Sequence, residues 1–324
     1  MKVFINKIIP DHGLGLLKQA GVEVTMWREP SVLTREQAIA FCKDHDAFLS
    51  AGQAGLDEGF FRECSHLKVV ALHSVGFDGV DIAAATQLGI PIGNTPNVLN
   101  KATAETALLL MLTVARRALY LHRKIKKGEW GVSQPTQDLG FDLAGKTLGI
   151  VGLGRIGAEL ARMCTQSWGM KIVYHNRTRN EEAEKEFGAT WLPFEELLEQ
   201  SDCVSVHTAL TEETRGLFGY EQFKRMKPSA IFINTARGGV HREDDLIRAL
   251  RERLIYGAGL DVTDPEPMSP DSPLLQMDNA VVFPHIGSST VETRNKMSRC
   301  AAENILAGLK GERLPYPVNP EVYS

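Results

Sequence analysis

The stretch Lys146-Thr-Leu-Gly-Ile-Val-Gly-Leu-Gly-Arg-Ile-Gly157 decides the fold. Leu148, Ile150 and Val151 make a short apolar run, as in a strand buried on both faces of a parallel sheet. Gly152, Gly154 and Gly157 follow with G-x-G-x-x-G spacing, and residues 158–168 read as a helix with Leu160, Ala161 and Cys164 on one face. Residues 171–174 supply a second strand at the right distance. Strand, glycine turn and helix in that order turn a common glycine spacing into a dinucleotide-binding fingerprint. Gly152 permits the tight turn, Gly154 lets the backbone approach a pyrophosphate, and Gly157 lets the helix pack on the strand. The leading N–H groups of that helix then face the anion.

Outward from this turn the alternation continues. Strands are expected over 148–151, 171–174, 203–207, 230–234, 257–260 and 281–283, with the clearest helices over 194–200 and 243–250. Six strands joined by crossovers make a doubly wound sheet. Upstream, strands over 3–9, 22–27, 47–50, 69–72 and 90–92 alternate with short helices; one of these opens on the capping box Thr34-Arg-Glu-Gln37. The polar loop His73-Ser-Val-Gly-Phe-Asp-Gly-Val-Asp81 follows a strand, where α/β sheets bind ligands. After the turn Asn94-Thr-Pro-Asn97, residues 99–127 read as one long helix with no internal Gly or Pro, ending at Lys126-Lys-Gly128. A last helix spans 288–310, with Gly311 as its stop. The expected architecture is α/β with two doubly wound parallel-sheet domains. Residues 1–98 plus 288–324 form one, and residues 99–287 form the dinucleotide-binding domain inserted between them.

Composition narrows the class. The chain has 324 residues, enough for two cores, with 43% hydrophobic and 23% charged residues. A net charge of -4 gives no reason to expect nucleic acid or an anionic membrane as partner. Cys42, Cys64, Cys164, Cys203 and Cys300 lack metal-ligand spacing and read as buried thiols in a reducing compartment. The N-terminus reads as a strand rather than a signal peptide, and the apolar stretch 107–115 is too short to span a bilayer. The expectation is a soluble cytoplasmic protein without a bound metal.

Chemistry-bearing residues gather beyond the strand ends. After the strand ending at Tyr174 comes His-Asn-Arg-Thr-Arg179, with no acid before Glu181. An NAD site places an acidic residue here to bond the ribose hydroxyls, whereas a guanidinium such as Arg177 or Arg179 can pair with a 2′-phosphate. The expectation is NADP(H) in preference to NAD(H). Arg237 follows one later strand, Glu266 the next and His285 the last. Parallel strands bring all three ends to one edge. An arginine can hold a carboxylate and polarise a carbonyl, and a histidine can exchange a proton near neutral pH. A carboxylate bonded to that histidine favours its charged form.

With these residues stated, the chain resembles the D-isomer-specific 2-hydroxyacid dehydrogenases, most of all their glyoxylate/hydroxypyruvate reductase branch. The resemblance runs from about Val69 onward through Ser-Val-Gly-Phe-Asp78, Gly-Asn-Thr-Pro96, Ala-Thr-Ala-Glu-Thr106, the 145–157 stretch, Met-Lys-Pro228, Asn-Thr-Ala-Arg-Gly-Gly239, Gly-Leu-Asp-Val262 and Pro-His-Ile-Gly-Ser288. It implies a flavodoxin-like substrate domain and a Rossmann dinucleotide-binding domain. It implies that Arg237 binds the 2-keto acid, that His285 is the general acid/base, and that Glu266 supports it. By the same resemblance, Val75 and Gly76 would bind the substrate carboxylate, and Asp261 would orient the nicotinamide carboxamide. Further cofactor contacts would come from Leu153, Arg155, Ile156, Asn176, Thr178, His207, Thr235, Ala236 and Gly287. The family places its active site in a cleft between domains and usually forms homodimers.

Three positions depart from the family pattern. Ala209 stands where Pro is frequent, His241 where Asp or Asn is frequent, and Gly131-Val-Ser133 follow Trp130 where the reductase branch often has a second aromatic. The last weighs against a hydroxypyruvate preference. The loop Ser50-Ala-Gly-Gln-Ala-Gly55 is expected to line the substrate pocket. The alternatives are an NADH-dependent D-2-hydroxyacid dehydrogenase and an NAD(P)-sensing interaction protein resembling the corepressors of this family. Glu266, where formate dehydrogenases carry Gln, argues against that branch.

Overall fold

The computed structural model describes residues 1–52, 55–132 and 134–324. Gln53 and Ala54 of the expected pocket loop, and Ser133 of the segment after Trp130, lie outside the described residues. The chain divides into two compact units, Met1–Leu99 with Ser289–Ser324, and Asn100–Ser288.

The first unit holds a five-stranded parallel sheet: β1 (Lys2–Ile5), β2 (Glu23–Met26), β3 (Ala47–Ser50), β4 (Val69–Leu72) and β5 (Ile92–Gly93). Its order, β2-β1-β3-β4-β5, is that of flavodoxin-like sheets. Alternation explains why β3 and β4 read as continuous apolar runs. Ala47, Leu49, Val69 and Ala71 enter one core, while Phe48, Val70 and Leu72 enter the core on the opposite face. The strand expected over 3–9 stops at Ile5, and the buried Asn6 side chain then accepts the Ala51 N–H at 2.6 Å. The chain's two ends share this unit because the helix Val291–Leu309 lays Ala301, Ala302 and Ile305 into the first core. Ser298 of that helix accepts the Gly13 N–H at 3.1 Å and donates to the Pro10 carbonyl at 2.8 Å.

The second unit holds seven parallel strands: β6 (Thr147–Val151), β7 (Lys171–His175), β8 (Thr190–Trp191), β9 (Cys203–Val206), β10 (Ile231–Asn234), β11 (Gly257–Leu260) and β12 (Ala280–Val282). Their order is β12-β11-β10-β9-β6-β7-β8, so the chain reverses direction across the sheet between β6 and β9. Leu148, Ile150, Ile231 and Ile233 pack on one face, and Val204, Val206 and Phe232 on the other. The sequence reading has six strands here. The seventh, β8, is a two-residue edge strand on β7 that has no apolar run to announce it.

The single helix expected over 99–127 is two, Asn100–Ala115 and Ala118–Lys126. Between them Arg117 sits in the left-handed region at φ 53°, without a glycine or proline to mark the break. Tertiary contacts hold it there. The Phe141 N–H donates to the Ala115 carbonyl at 3.0 Å, and Arg117 pairs with Asp278 at 3.3 Å. Among the described residues no helix is long and apolar enough to cross a membrane.

Candidate active site

The glycine turn between β6 and the helix Arg155–Trp168 is fixed by a close approach of two strand ends. Gly152 has φ 95° and donates its N–H to the His175 carbonyl at 3.0 Å. A Cβ there would lie 2.8 Å from the His207 carbonyl carbon, so only glycine fits. The helix has no side-chain cap. Among the described residues the N–H groups of Arg155, Ile156 and Gly157 have no acceptor, and Gly154 faces open space. An uncapped helix start under an open glycine is a fitting cradle for a pyrophosphate.

Beyond β7 the expected ribose contacts separate into different roles. The Asn176 side chain is engaged with the glycine turn: it accepts the Leu153 N–H at 2.6 Å and donates to the Leu153 carbonyl at 3.2 Å. Arg179 is held by Glu184 through two contacts of 3.0 and 2.7 Å. Arg177 and Thr178 are exposed, and among the described residues the Arg177 guanidinium makes no hydrogen bond or ion pair.

The remaining site residues follow β9 to β12. Asn234, the last residue of β10 and fully buried, organises the segment that carries Arg237. Its Oδ1 accepts the Ala236 N–H at 2.9 Å, and its Nδ2 donates to the Arg237 carbonyl at 2.9 Å and to His241 Nδ1 at 3.1 Å. Arg237 Nη1 donates to the Ala236 carbonyl at 2.7 Å. Gly238 lets this segment lie against the backbone leading to Glu266, because a Cβ there would sit 2.0 Å from the Thr263 carbonyl carbon.

Asp261, after β11, is 1% exposed, and both its oxygens accept at 2.7 Å, from the N–H groups of Ile286 and Gly287. Burial raises its carboxyl above the usual aspartate range, against the pull of those two bonds and of the His285 charge. The bonds pin the residues after His285, which itself adopts φ 54°. A histidine held in the left-handed region by its neighbours is backbone strain of the kind that gathers at working sites. His285 Nδ1 meets Glu266 Oε1 at 2.6 Å. Burial works against the Glu266 charge, but the His285 hydrogen bond and charge, the Thr263 N–H and the Arg237 charge outweigh it and hold its carboxyl below the usual range. The structure thus places His285 and Glu266 in direct contact, with Arg237 in electrostatic reach of Glu266.

Three further groups line the same strand ends. His207 is half-buried; Nε2 lies 2.9 Å from Ser205 Oγ, Nδ1 is buried without a partner, and desolvation pushes its pKa down to about 4. Thr235 Oγ1 is buried and unpartnered, and Ala236 lies beside it. These orphaned polar atoms, along with the uncapped helix, are what a nicotinamide dinucleotide would satisfy. His241, one of the departures, is buried and neutral, with its pKa pushed down to about 4 by burial. In the first unit the carbonyls of Val75 and Gly76 accept from Asn94 Nδ2 and Ser74 Oγ, both at 2.8 Å. Their N–H groups have no acceptor among the described residues.

Sequence reasoning missed Asn234 and the structural part of Asp261. The available signal was a polar residue ending an apolar strand, just before a candidate loop.

Known proteins resemble this chain over its whole length. The family profile of the "D-isomer specific 2-hydroxyacid dehydrogenase, NAD binding domain" matches residues 108–287. A glyoxylate reductase from Korarchaeum cryptofilum is 42% identical over 322 residues, covering 99% of this chain and 96% of that protein. The crystal structure of a protein from Thermus thermophilus superposes with a TM-score of 0.92 at 40% identity, covering 98% of this chain and 100% of that one. An NADPH-dependent glyoxylate/hydroxypyruvate reductase from Sinorhizobium meliloti, in complex with NADP and malonate, gives 0.85 at 30% identity, covering 99% and 97%.

Proposed function

The chain belongs to the D-isomer-specific 2-hydroxyacid dehydrogenase family, and on that premise we propose that it reduces small 2-keto acids to D-2-hydroxy acids with NADPH preferred. It is an NAD(P)-dependent oxidoreductase; glyoxylate, hydroxypyruvate or a related keto acid is the proposed substrate. The single observation that carries the reading is the 2.6 Å His285–Glu266 contact at the strand ends of the sheet that bears the glycine turn.

Bound NADPH supplies the hydride that reaches the keto carbon. Glu266 holds His285 through Nδ1, which leaves Nε2 to deliver the proton to the carbonyl oxygen. Arg237 pairs with the substrate carboxylate and favours the charge that develops on the oxygen. The open N–H groups of Val75 and Gly76 are the proposed donors to that carboxylate. Arg177, free of hydrogen-bond and ion-pair partners among the described residues, is the proposed 2′-phosphate ligand, and the segment 175–180 has no acid to repel that phosphate. Trp130, Val132 and Leu139 are exposed apolar side chains of the second unit, which supports the proposed homodimer.

The test is a panel of 2-keto acids assayed with NADPH and with NADH, for the native chain and for His285→Ala. Reduction is expected to be faster with NADPH, and turnover is expected to fall about 10²- to 10⁴-fold in the variant with cofactor affinity nearly intact. Equal rates with both cofactors would remove the NADPH assignment. Unchanged turnover in His285→Ala would remove its proton-transfer role.

A further inference from the structure

The loop carrying Arg177 is fastened on both sides by groups that the reaction itself does not use. Tyr174, the fourth residue of β7, has its side chain fully buried. Its hydroxyl accepts the Asn180 N–H at 2.7 Å and donates to Glu184 Oε1 at 2.6 Å. Asn180 in turn caps the helix Glu181–Phe187 by accepting the Ala183 N–H at 3.1 Å, and donates to the Leu153 carbonyl at 2.9 Å. Trp191 Nε1 donates to the Asn176 carbonyl at 3.1 Å. One continuous network therefore runs from the glycine turn through Asn180 and Tyr174 to Glu184.

Glu184 ends that network and also binds Arg179 through both carboxylate oxygens. The two cations flanking Thr178 thus stand in opposite states. Arg179 is committed to Glu184, and Arg177 has no hydrogen-bond or ion-pair partner among the described residues. Glu213 on another loop feels the Arg177 charge, but its own carboxyl is held low first by the Thr211 hydroxyl. Two donors on the Glu184 carboxylate also blunt the repulsion that a bare acid would exert on a nearby phosphate.

We propose that Tyr174 and Glu184 are positioning residues for cofactor choice: they lock the loop so that Arg177 alone presents its guanidinium at the ribose 2′-position, while Arg179 is held away and neutralises Glu184. The proposal rests on the NADPH reading above.

The test uses the full chain with Tyr174→Phe, Glu184→Ala, Glu184→Gln and Arg177→Ala, measuring kcat and KM for NADPH and for NADH at saturating keto acid, together with thermal unfolding. Loss of the Tyr174 hydroxyl, or of the Glu184 carboxylate to Ala, is expected to raise the NADPH KM about fivefold to tenfold, the worth of one or two hydrogen bonds. The NADH KM should stay within about twofold and kcat should not change. Glu184→Gln keeps an acceptor and is expected to restore part of the loss. A merely structural role would raise both KM values together, and that outcome overturns the proposal. If Arg177→Ala lowers the NADPH preference while Tyr174→Phe and Glu184→Ala do not, only this proposal fails. If Arg177→Ala leaves the preference unchanged, the NADPH reading fails and takes the proposal with it.

Discussion

Asn234→Asp is a nearly isosteric change at a fully buried site, and the structure determines what it costs. The Asn234 amide cannot be flipped, because Oδ1 faces an N–H and Nδ2 faces the Arg237 carbonyl. Aspartate keeps the bond from the Ala236 N–H. It loses the bond donated to the Arg237 carbonyl, while His241, whose Nε2 has no partner, can take the other tautomer and donate from Nδ1 to the carboxylate. Leaving a buried acceptor unpaired costs about 1–3 kcal/mol, so the orphaned Arg237 carbonyl should destabilise the fold by about that much near neutral pH. The keto-acid KM should also rise, because the Arg237 segment loses its anchor. The sign of the pH dependence follows from burial. A buried aspartic acid titrates above its ordinary value, so the folded variant takes up protons that the unfolded chain does not. Its deficit relative to the native protein should therefore shrink on acidification, as the protonated carboxyl regains a donor. Urea unfolding of both proteins from pH 8 down to pH 5, with keto-acid kinetics on the same samples, measures all three effects. A deficit below about 1 kcal/mol at neutral pH, or one that grows as pH falls, would refute the assignment of Asn234 as the anchor of this segment.

Other perturbations read different parts of the site. Gly152→Ala would force a side chain into backbone at φ 95° with a 2.8 Å contact; we expect about 1–3 kcal/mol of destabilisation and loss of NADPH binding, followed by thermal unfolding and cofactor fluorescence. Because Glu266 is held below its ordinary value of 4.5, its pairing stabilises the fold above that pH and is lost as pH falls through the folded value. The stability difference between native protein and Glu266→Gln should accordingly narrow on acidification through that window; a pH-independent difference in urea melts would contradict the pairing. Arg179→Ala should expose the Glu184 carboxylate and weaken NADPH binding more than NADH binding, as read by titration of each cofactor.

Much of this molecule was legible in residue order because the physics involved is local. Parallel strands covered on both faces are apolar almost throughout, which is why Ala47–Ser50, Val69–Leu72 and Gly257–Leu260 could be bounded without coordinates. The glycine spacing after β6 likewise states where backbone must bend and where an anion can approach. Parallel topology then forces the segments after β10, β11 and β12 to one edge, so Arg237, Glu266 and His285 could be grouped in advance. Contacts between distant segments left no such local trace. The helix break at Arg117 is held by Asp278 and by the Phe141 N–H, and β8 exists because β7 offers it an edge. Nothing in the run from His175 to Arg179 says which arginine is free; that choice belongs to Glu184, a turn of helix away. Sequence sets what each segment prefers by itself, whereas the state of a polar side chain depends on which distant partner folding brings within about 3 Å of it.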